Sequence, residues 1–167
     1  MSSTTQTIET VEDTEAAEAI KAIQATEITG TGAAVAAPTG KEVVLRYMEV
    51  LNTGNMEELR GFFQPDAVWT LAGDLPLSRS WHGPEQILDE FIPAMFARLV
   101  PETVELEFEG VIAEGSRVFA EWNTRAQTRS GHSYDQHCVA VFTIRDGRIA
   151  EVREYFDTLH AHRTVFS

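Results

Sequence analysis

The sequence predicts an α+β domain, in which a curved and mainly antiparallel sheet wraps around three helices. In three segments before residue 100, apolar residues recur at the spacing of a helix face. After residue 100, four long segments alternate apolar with polar residues, which is typical of half-buried strands. Because the helices and most of the strands fall in separate parts of the chain, the chain fits the α+β class. We expect the curved sheet to leave a cavity beside the helices.

The three helices are predicted from apolar spacing and from residues that typically begin a helix. The first covers residues 43–51, and the second covers residues 56–63 with Asn55 as its capping residue. The third covers residues 84–99, since its proline is tolerated in the first turn of a helix. Each of these helices has one broad apolar face, which we expect to pack against the sheet.

The strands are predicted from alternation and from turn signals. A short strand over residues 67–71 follows the second helix, and an irregular loop over residues 73–80 comes next. The long strands cover residues 104–110, 118–126, 134–144 and 148–157. Arg145, Asp146 and Gly147 lie between the last two strands and predict the turn of a hairpin.

The composition is that of an ordinary soluble globular protein with one domain. The chain has 167 residues, of which 43% are hydrophobic and 23% are charged. Its net charge of −13 argues against binding to nucleic acid or to anionic membrane surfaces, which both need clustered basic residues. No apolar run approaches the roughly 18 residues of a membrane span, and the first residues do not resemble a secretory signal. We therefore expect a cytoplasmic protein.

The first 39 residues differ from the rest of the chain. They are rich in Thr, Ala and Glu, they contain no aromatic residue, and their only basic residue is Lys21. Such a segment has too little apolar surface to fold by itself. We predict that residues 1–39 form a disordered acidic tail and that residues 40–167 form the folded domain.

Glu154 is the strongest candidate for a functional residue. Successive side chains of a strand point to opposite faces, so Glu154 shares an apolar face with Val152 and Phe156. Burial of a carboxyl group favours its neutral form and raises its pKa towards neutrality, where it becomes a useful proton carrier. Two alternatives stay open: a structural carboxylate that is hydrogen-bonded inside the core, and an error in the phase of the strand.

Three segments carry a resemblance to a known family. They are VVLRYMEVLNTGNMEELRGFFQPDAVW at residues 43–69, WHG at residues 81–83, and VAVFTIRDGRIAEVREYFDT at residues 139–158. The chain resembles the nuclear transport factor 2-like superfamily, and most closely its SnoaL-like and ketosteroid-isomerase-related members. The resemblance implies a cone-shaped cavity, a homodimer and acid/base chemistry without a metal. No cofactor is expected.

Only some of the relatives' catalytic residues have a chemically similar counterpart in this chain. In SnoaL-like cyclases a carboxylate of the last strand handles the proton, and Glu154 matches it, whereas their partner histidine falls on Ala140. The tyrosine of ketosteroid isomerases matches Tyr47, but their two acidic residues fall on Leu71 and Ala140. Epoxide hydrolases of this family need polar residues at Leu71 and Trp122, so that chemistry is not expected.

The remaining candidates are assigned to the wall of the predicted cavity. Gln136 faces the same side as Cys138, so its amide is a candidate to hold Glu154 or a substrate oxygen; a core amide bonded to the backbone is the alternative. Tyr47 is a candidate donor, with a purely structural core position as its alternative. The predicted substrate-binding residues are Trp69, Leu71, Trp122, Thr124, Cys138 and Phe156.

The five histidines of the chain do not predict a metal site. None of them shows the spacing of a metal-ligand motif, and His137 is predicted to face outward together with Asp135. Cys138 has no activating partner in the sequence and is interpreted as a small buried residue.

The leading hypothesis is a homodimeric enzyme that acts on an apolar, oxygenated molecule of polyketide, terpenoid or steroid type. Glu154 would move a proton during isomerisation, cyclisation or dehydration. Gln136, Tyr47 or an indole N–H would stabilise the negative charge that develops on a carbonyl oxygen. The first alternative is a binding module of the same fold that holds a hydrophobic ligand without chemistry. The second is a dimeric scaffold whose acidic tail binds a partner.

Overall fold

The structure, a computed structural model, describes residues 37–166, and its first helix begins at Gly40. The prediction of a disordered tail over residues 1–39 falls almost wholly outside the described residues and stays a prediction. Thr39 caps the first helix, because its side-chain oxygen accepts from the backbone N–H of Glu42 and the Glu42 carboxylate accepts from the N–H of Thr39. The helix ends at Gly54, which adopts the left-handed conformation with φ 70°.

The sheet has six strands in the order β2-β1-β6-β5-β4-β3. Neighbouring strands are antiparallel except β1 and β6, which are parallel. The strands are β1 (Phe63–Leu71), β2 (Ser80–His82), β3 (Glu105–Glu114), β4 (Arg117–Gln127), β5 (Ser133–Arg145) and β6 (Arg148–Phe156). The α+β class with a curved and mainly antiparallel sheet is therefore confirmed.

Helices pack against this sheet, and their bounds differ from those that the sequence patterns suggest. They are α1 (Gly40–Thr53), α2 (Met56–Arg60), α3 (Gly83–Glu85), α4 (Ile92–Phe96) and α5 (Thr158–Thr164). A π-helical segment, Gln86–Phe91, joins α3 to α4, and these three segments together are called the composite helix. None of the described helices is both long and apolar enough to cross a membrane.

Two boundaries near the start of the sheet were predicted wrongly. Helix α2 ends at Arg60, and the predicted helical residue Phe63 instead begins β1, where it pairs with Ile149. The loop predicted over residues 73–80 gives way at Ser80 to the short strand β2, in which Trp81 pairs with Trp69. In both places pairing with distant residues decides the conformation, and local spacing does not reveal that pairing.

The composite helix contains a wide turn where one regular helix was predicted. The backbone N–H of Ile92 bonds to the carbonyl oxygen of Ile87, five residues earlier. Pro93 follows immediately, and a proline has no N–H to donate and its ring crowds the carbonyl four residues earlier. The wider π turn accommodates this proline without breaking the helix.

A β-bulge in the last hairpin sets which residues of β6 face the core. Ile144 pairs with Ile149 and Thr143 pairs with Glu151, so Ala150 is an extra residue without a direct partner. Ile149 is buried in place of Ala150, which the strict alternation had placed inward. Beyond the bulge, Glu154 lies on the inner face as predicted.

A C-terminal helix, α5, was not predicted. Asp157 caps it by accepting hydrogen bonds from the backbone N–H groups of Leu159 and His160. The helix buries Ala161 against a second apolar cluster at the open end of the sheet. The buried members of that cluster are Leu75, Leu99, Ala126, Tyr134, Ala161 and Val165.

Candidate functional site

A cavity lies between the inner face of the sheet and helices α1 and α4. It has about 90 Å³ of space for the centres of water-sized molecules, and about 700 Å³ of empty space when its opening to solvent is included. The wall is almost entirely apolar, and aromatic rings supply much of it. The lining residues are Tyr47, Met48, Leu51, Trp69, Phe91, Ile92, Met95, Phe96, Leu99, Leu106, Trp122, Thr124, Tyr134, Cys138, Phe142, Glu154 and Phe156.

Glu154 is the one carboxylate among these lining residues. It is held in the middle of the sheet, because it pairs with Ala140 of β5 on one side and with Leu71 of β1 on the other. Only 9% of its surface is exposed. The indole N–H of Trp69 donates a hydrogen bond of 3.0 Å to its Oε2 atom, while Oε1 accepts none from residues 37–166.

Burial raises the pKa of Glu154 from 4.5 to about 7, and the hydrogen bond from Trp69 opposes part of this rise. The desolvation of the charged carboxylate is the larger of the two effects. A carboxyl group with such a pKa is present in both protonation states near neutral pH, so it can accept a proton and return it. This is the environment that the strand pattern predicted.

Tyr47 lies in the same wall and places a phenol close to this carboxyl group. Its ring centroid is 6.4 Å from that of Trp69 and 5.9 Å from that of Phe142. Its hydroxyl is buried and has no hydrogen-bond partner within the described part of the chain. Burial, and then the charge of Glu154, raise the pKa of the Tyr47 hydroxyl, so it keeps its proton and can act as a donor.

Five predicted substrate-binding residues also line the cavity, namely Trp69, Trp122, Thr124, Cys138 and Phe156. The indole N–H of Trp122 makes no hydrogen bond with any residue between 37 and 166, so it is free to donate to a ligand. Burial raises the pKa of the Cys138 thiol, and the charge of Glu154 adds to the effect. The thiol is therefore neutral and a poor nucleophile.

Gln136 and Leu71 were also predicted for the site, but neither is among the lining residues. The Gln136 amide nitrogen donates to the backbone carbonyl of His137 at 3.1 Å, not to Glu154. Phe156 ends β6 opposite Cys138, so Gln136 lies beyond the end of that strand and away from the carboxyl group. Leu71 is buried beside Glu154 as its partner in β1.

Several wall residues were not predicted for the site. The most polar of them is Tyr134, which stacks on His160 with 5.6 Å between the ring centroids. Its position on β5, four residues before Cys138 and on the same face, is the signal that could have placed it in the cavity. The wall residues of the composite helix have no such signal, since apolar side chains at helical spacing look alike in a core and in a cavity wall.

Comparisons with known proteins agree with this fold. The profile of the SnoaL-like domain family matches residues 44–152. A protein from a soil-derived mobile gene cassette is 27% identical, with 73% of this chain and 92% of that chain covered and a TM-score of 0.65. A nuclear transport factor 2-like protein from Burkholderia thailandensis is 14% identical, with coverages of 75% and 96% and a TM-score of 0.70. TerC, co-crystallised with polyporic acid, is 22% identical, with coverages of 77% and 98% and a TM-score of 0.67. No curated protein gives a significant match.

Proposed function

The chain belongs to the SnoaL-like domain family, and on that premise we propose that it is an enzyme that moves a proton of a small apolar molecule through Glu154. The observation that carries this proposal is the buried carboxyl group, whose pKa is about 7, in an apolar cavity. A carboxyl group that only stabilised the fold would be expected to have both oxygens hydrogen-bonded. Here Oε2 is held by Trp69, and Oε1 is left for a ligand.

The wall indicates the chemistry of the ligand. Aromatic and aliphatic side chains supply most of it, which favours a polyketide, terpenoid or steroid type of molecule. The Tyr47 hydroxyl, which senses the charge of Glu154, is one donor of the wall, and the Trp122 indole N–H is another; both suit a carbonyl oxygen.

The proposed reaction is a proton transfer next to a carbonyl group. The Glu154 carboxylate removes a proton from a carbon beside the carbonyl, and the electron pair of that C–H bond passes to the carbonyl oxygen. The Tyr47 hydroxyl donates a hydrogen bond to this oxygen as it becomes negative, a contribution of a few kcal/mol. Return of the proton from Glu154 to another carbon completes an isomerisation. In a cyclisation, the enolate carbon instead attacks a second carbonyl, whose oxygen takes the proton from Glu154. In a dehydration, a hydroxyl on the next carbon takes this proton and leaves as water while a C=C bond forms.

Replacement of Glu154 by Gln tests this proposal. A screen of the wild-type protein against small lipophilic carbonyl compounds, read by thermal shift and then by product analysis, first identifies a substrate. We expect Glu154→Gln to retain binding and to lose turnover by at least about 100-fold, since general acid–base catalysis contributes that much. Turnover that is unchanged in this variant would rule the mechanism out.

Tyr47→Phe tests the proposed donor separately. The Tyr47 hydroxyl is buried without a partner, so its removal should leave the stability of the protein unchanged or raise it. Turnover should nevertheless fall by about 10²-fold, because the developing negative charge loses its hydrogen bond. A variant that is less stable and fully active would show that Tyr47 has only a structural role.

The second candidate function is ligand binding without chemistry. The observation that favours it is Ala140, which lies opposite Glu154 where the cyclases of this family carry a histidine. In this case the same screen finds ligands that stabilise the protein, but no product forms with any of them. The cavity, which is open to solvent, favours both ligand-based functions over the scaffold hypothesis.

We also propose a homodimer, as the family resemblance implies. The supporting observation is a group of exposed apolar side chains on the outer face of the sheet, namely Phe119, Val139 and Tyr155. Val139 pairs directly with Tyr155, and Phe119 lies on the neighbouring strand β4. A second copy of the chain would remove this apolar surface from water.

A further inference from the structure

The outer face of the sheet, opposite the cavity, brings together three side chains that metal ions favour. Glu109 comes from β3, Glu121 from β4 and His137 from β5. One ligand atom of each residue lies within 4.8 Å of the ligand atoms of the other two. These residues are far apart in the sequence and have no motif spacing, so the sequence pattern did not predict a metal site here.

A β-bulge in β3 places Glu109 in this cluster. Phe108 pairs with Trp122 and Gly110 pairs with Glu121, so Glu109 is the extra residue between two consecutive pairs. Both Glu109 and its neighbour Glu107 are exposed on the outer side. The bulge thus adds a carboxylate at the point where Glu121 and His137 already meet on adjacent strands.

Asn123 is a second and independent feature of the cluster. It lies on the outer face and pairs directly with His137, yet it is only 4% exposed. Its amide nitrogen donates to Oε1 of Glu109, which fixes the orientation of the amide, since a carboxylate oxygen can only accept. The Asn123 Oδ1 atom is left buried without a hydrogen-bond partner among the described residues. A buried and unpaired carbonyl oxygen is costly, so a partner that the protein itself does not supply is favoured next to Asn123.

The carboxylates of the cluster have no basic partner in the part of the chain that the structure describes. Within residues 37–166, neither Glu109 nor Glu121 forms an ion pair with a basic side chain. Arg125, on the same strand as Glu121, is paired with Glu107 and Asp135 instead. Two adjacent carboxylates without a counter-charge attract a divalent cation.

We propose that Glu109, Glu121 and His137, which lie beside the buried side chain of Asn123, bind a divalent first-row transition cation such as Zn²⁺. Two carboxylates and one neutral imidazole balance the charge of the ion and match the oxygen and nitrogen ligands that Zn²⁺ accepts. The imidazole favours Zn²⁺ over the purely oxygen-seeking Mg²⁺. Because its ligands come from β3, β4 and β5, the bound ion cross-links these three strands at the bulge.

Calorimetric titration of ZnCl₂ into the chelator-treated full-length protein tests this proposal. We expect one site per chain in the wild-type protein and at least about tenfold weaker binding at that site in His137→Ala. His162→Ala is the matched control, because His162 is an exposed histidine outside the cluster and its loss should leave the affinity unchanged. Equal Zn²⁺ affinity in the wild-type protein and His137→Ala would overturn the proposal.

Glu109→Gln provides a second variant that tests the carboxylate ligand at an exposed position. Its Zn²⁺ affinity should also fall at least about tenfold, whereas Glu114→Gln, an exposed carboxylate elsewhere on β3, should bind as the wild-type protein does. Zn²⁺ should raise the unfolding temperature of the wild-type protein more than the same concentration of Mg²⁺ does. A wild-type protein that binds neither ion, or that binds both equally, would contradict the assigned site.

Discussion

Glu154 owes its properties to its immediate neighbours in the sheet. Ala140 and Leu71 flank it with apolar side chains, and the indole of Trp69 is the only hydrogen-bond donor that reaches it from residues 37–166. Alternation along β6 placed this residue on the inner face correctly, because the bulge at Ala150 lies before it and does not change the phase of the later residues. Its hydrogen bond to Trp69 was not predictable, since the two residues are 85 positions apart.

The first prediction concerns the pH dependence of stability. The pKa of Glu154 is about 7 in the folded protein and near 4.5 in the unfolded chain, so between these values the folded state binds more protons. The contribution of Glu154 to stability is therefore fully present below about pH 4.5 and is lost as the pH rises through about 7. The loss amounts to roughly 3 kcal/mol.

Urea unfolding of Glu154→Gln measures this effect, because glutamine does not titrate. Relative to the wild-type protein, the variant should gain roughly 3 kcal/mol of stability between about pH 4.5 and about pH 8. Glu114→Gln, which alters an exposed carboxylate, serves as the control and should show no such gain. A stability difference between Glu154→Gln and the wild-type protein that does not change with pH would contradict the assignment.

The second prediction concerns Trp69. Its N–H group stabilises the charged form of Glu154, so Trp69→Phe should raise the pKa of this carboxyl group above its wild-type value of about 7. Trp81→Phe is the matched control, because the Trp81 indole donates to the backbone carbonyl of Leu77 and not to Glu154. The measurement is the titration midpoint of Glu154 by NMR, and equal midpoints in the two variants would refute the role of Trp69.

Individual elements differ from their sequence patterns where distant contacts decide the conformation. The positions of β4, β5 and β6 were predicted well, since a long alternation of apolar and polar residues fits a strand and does not fit a helix. The sequence pattern missed β2 and α5, which are short and are held by pairing with β1 and by packing on the second apolar cluster. It also predicted a regular third helix, because the apolar spacing cannot reveal the π turn before Pro93.

The third prediction tests how the loop after β1 packs on α5. Gly73 has a φ of 103°, and a Cβ atom there would lie 2.6 Å from Cγ2 of Thr158. Gly131 has a φ of 87° with open space around it. Gly131→Ala should therefore lower the free energy of unfolding only through backbone strain, by about 1 kcal/mol. Gly73→Ala should lower the free energy of unfolding by about 1–3 kcal/mol more than Gly131→Ala does, because its new Cβ atom clashes with Thr158.

A double mutant separates the clash from the strain. Thr158→Ala removes Cγ2, so in the Gly73→Ala background it should restore most of the additional loss, as measured by urea unfolding. If Thr158→Ala gives no recovery, the close packing of this loop on α5 is not present in solution.

At the scale of the whole molecule, features that depend on the order of the elements were predictable, and features that depend on strand pairing were not. Segregation of helices and strands was enough to predict the α+β class, because it depends on element order alone. The cavity wall and the Glu109, Glu121 and His137 cluster depend on strand order and register, which bring together residues from separate strands. The sequence therefore identified the buried acid and left the ligands on the outer face unrecognised.

The fourth prediction concerns the proposed homodimer. Val139 lies at the centre of the exposed apolar group on the outer face, so Val139→Glu should place a charge in the interface and shift the protein to monomers. Leu159→Glu changes an even more exposed apolar residue, on α5, and should leave the dimer intact. Sedimentation equilibrium measures both, and a wild-type protein that is monomeric at every concentration would refute the dimer.

The titration of Glu154 tests the central claim most directly. In protein labelled with ¹³C at the glutamate side-chain carboxyl, the Glu154 signal is assigned by its absence in Glu154→Gln and is followed as the pH is varied. The buried position predicts a midpoint near 7. A midpoint near 4.5, the value for an exposed glutamate, would show that this carboxyl group is hydrated and would contradict its role as the proton carrier of the cavity.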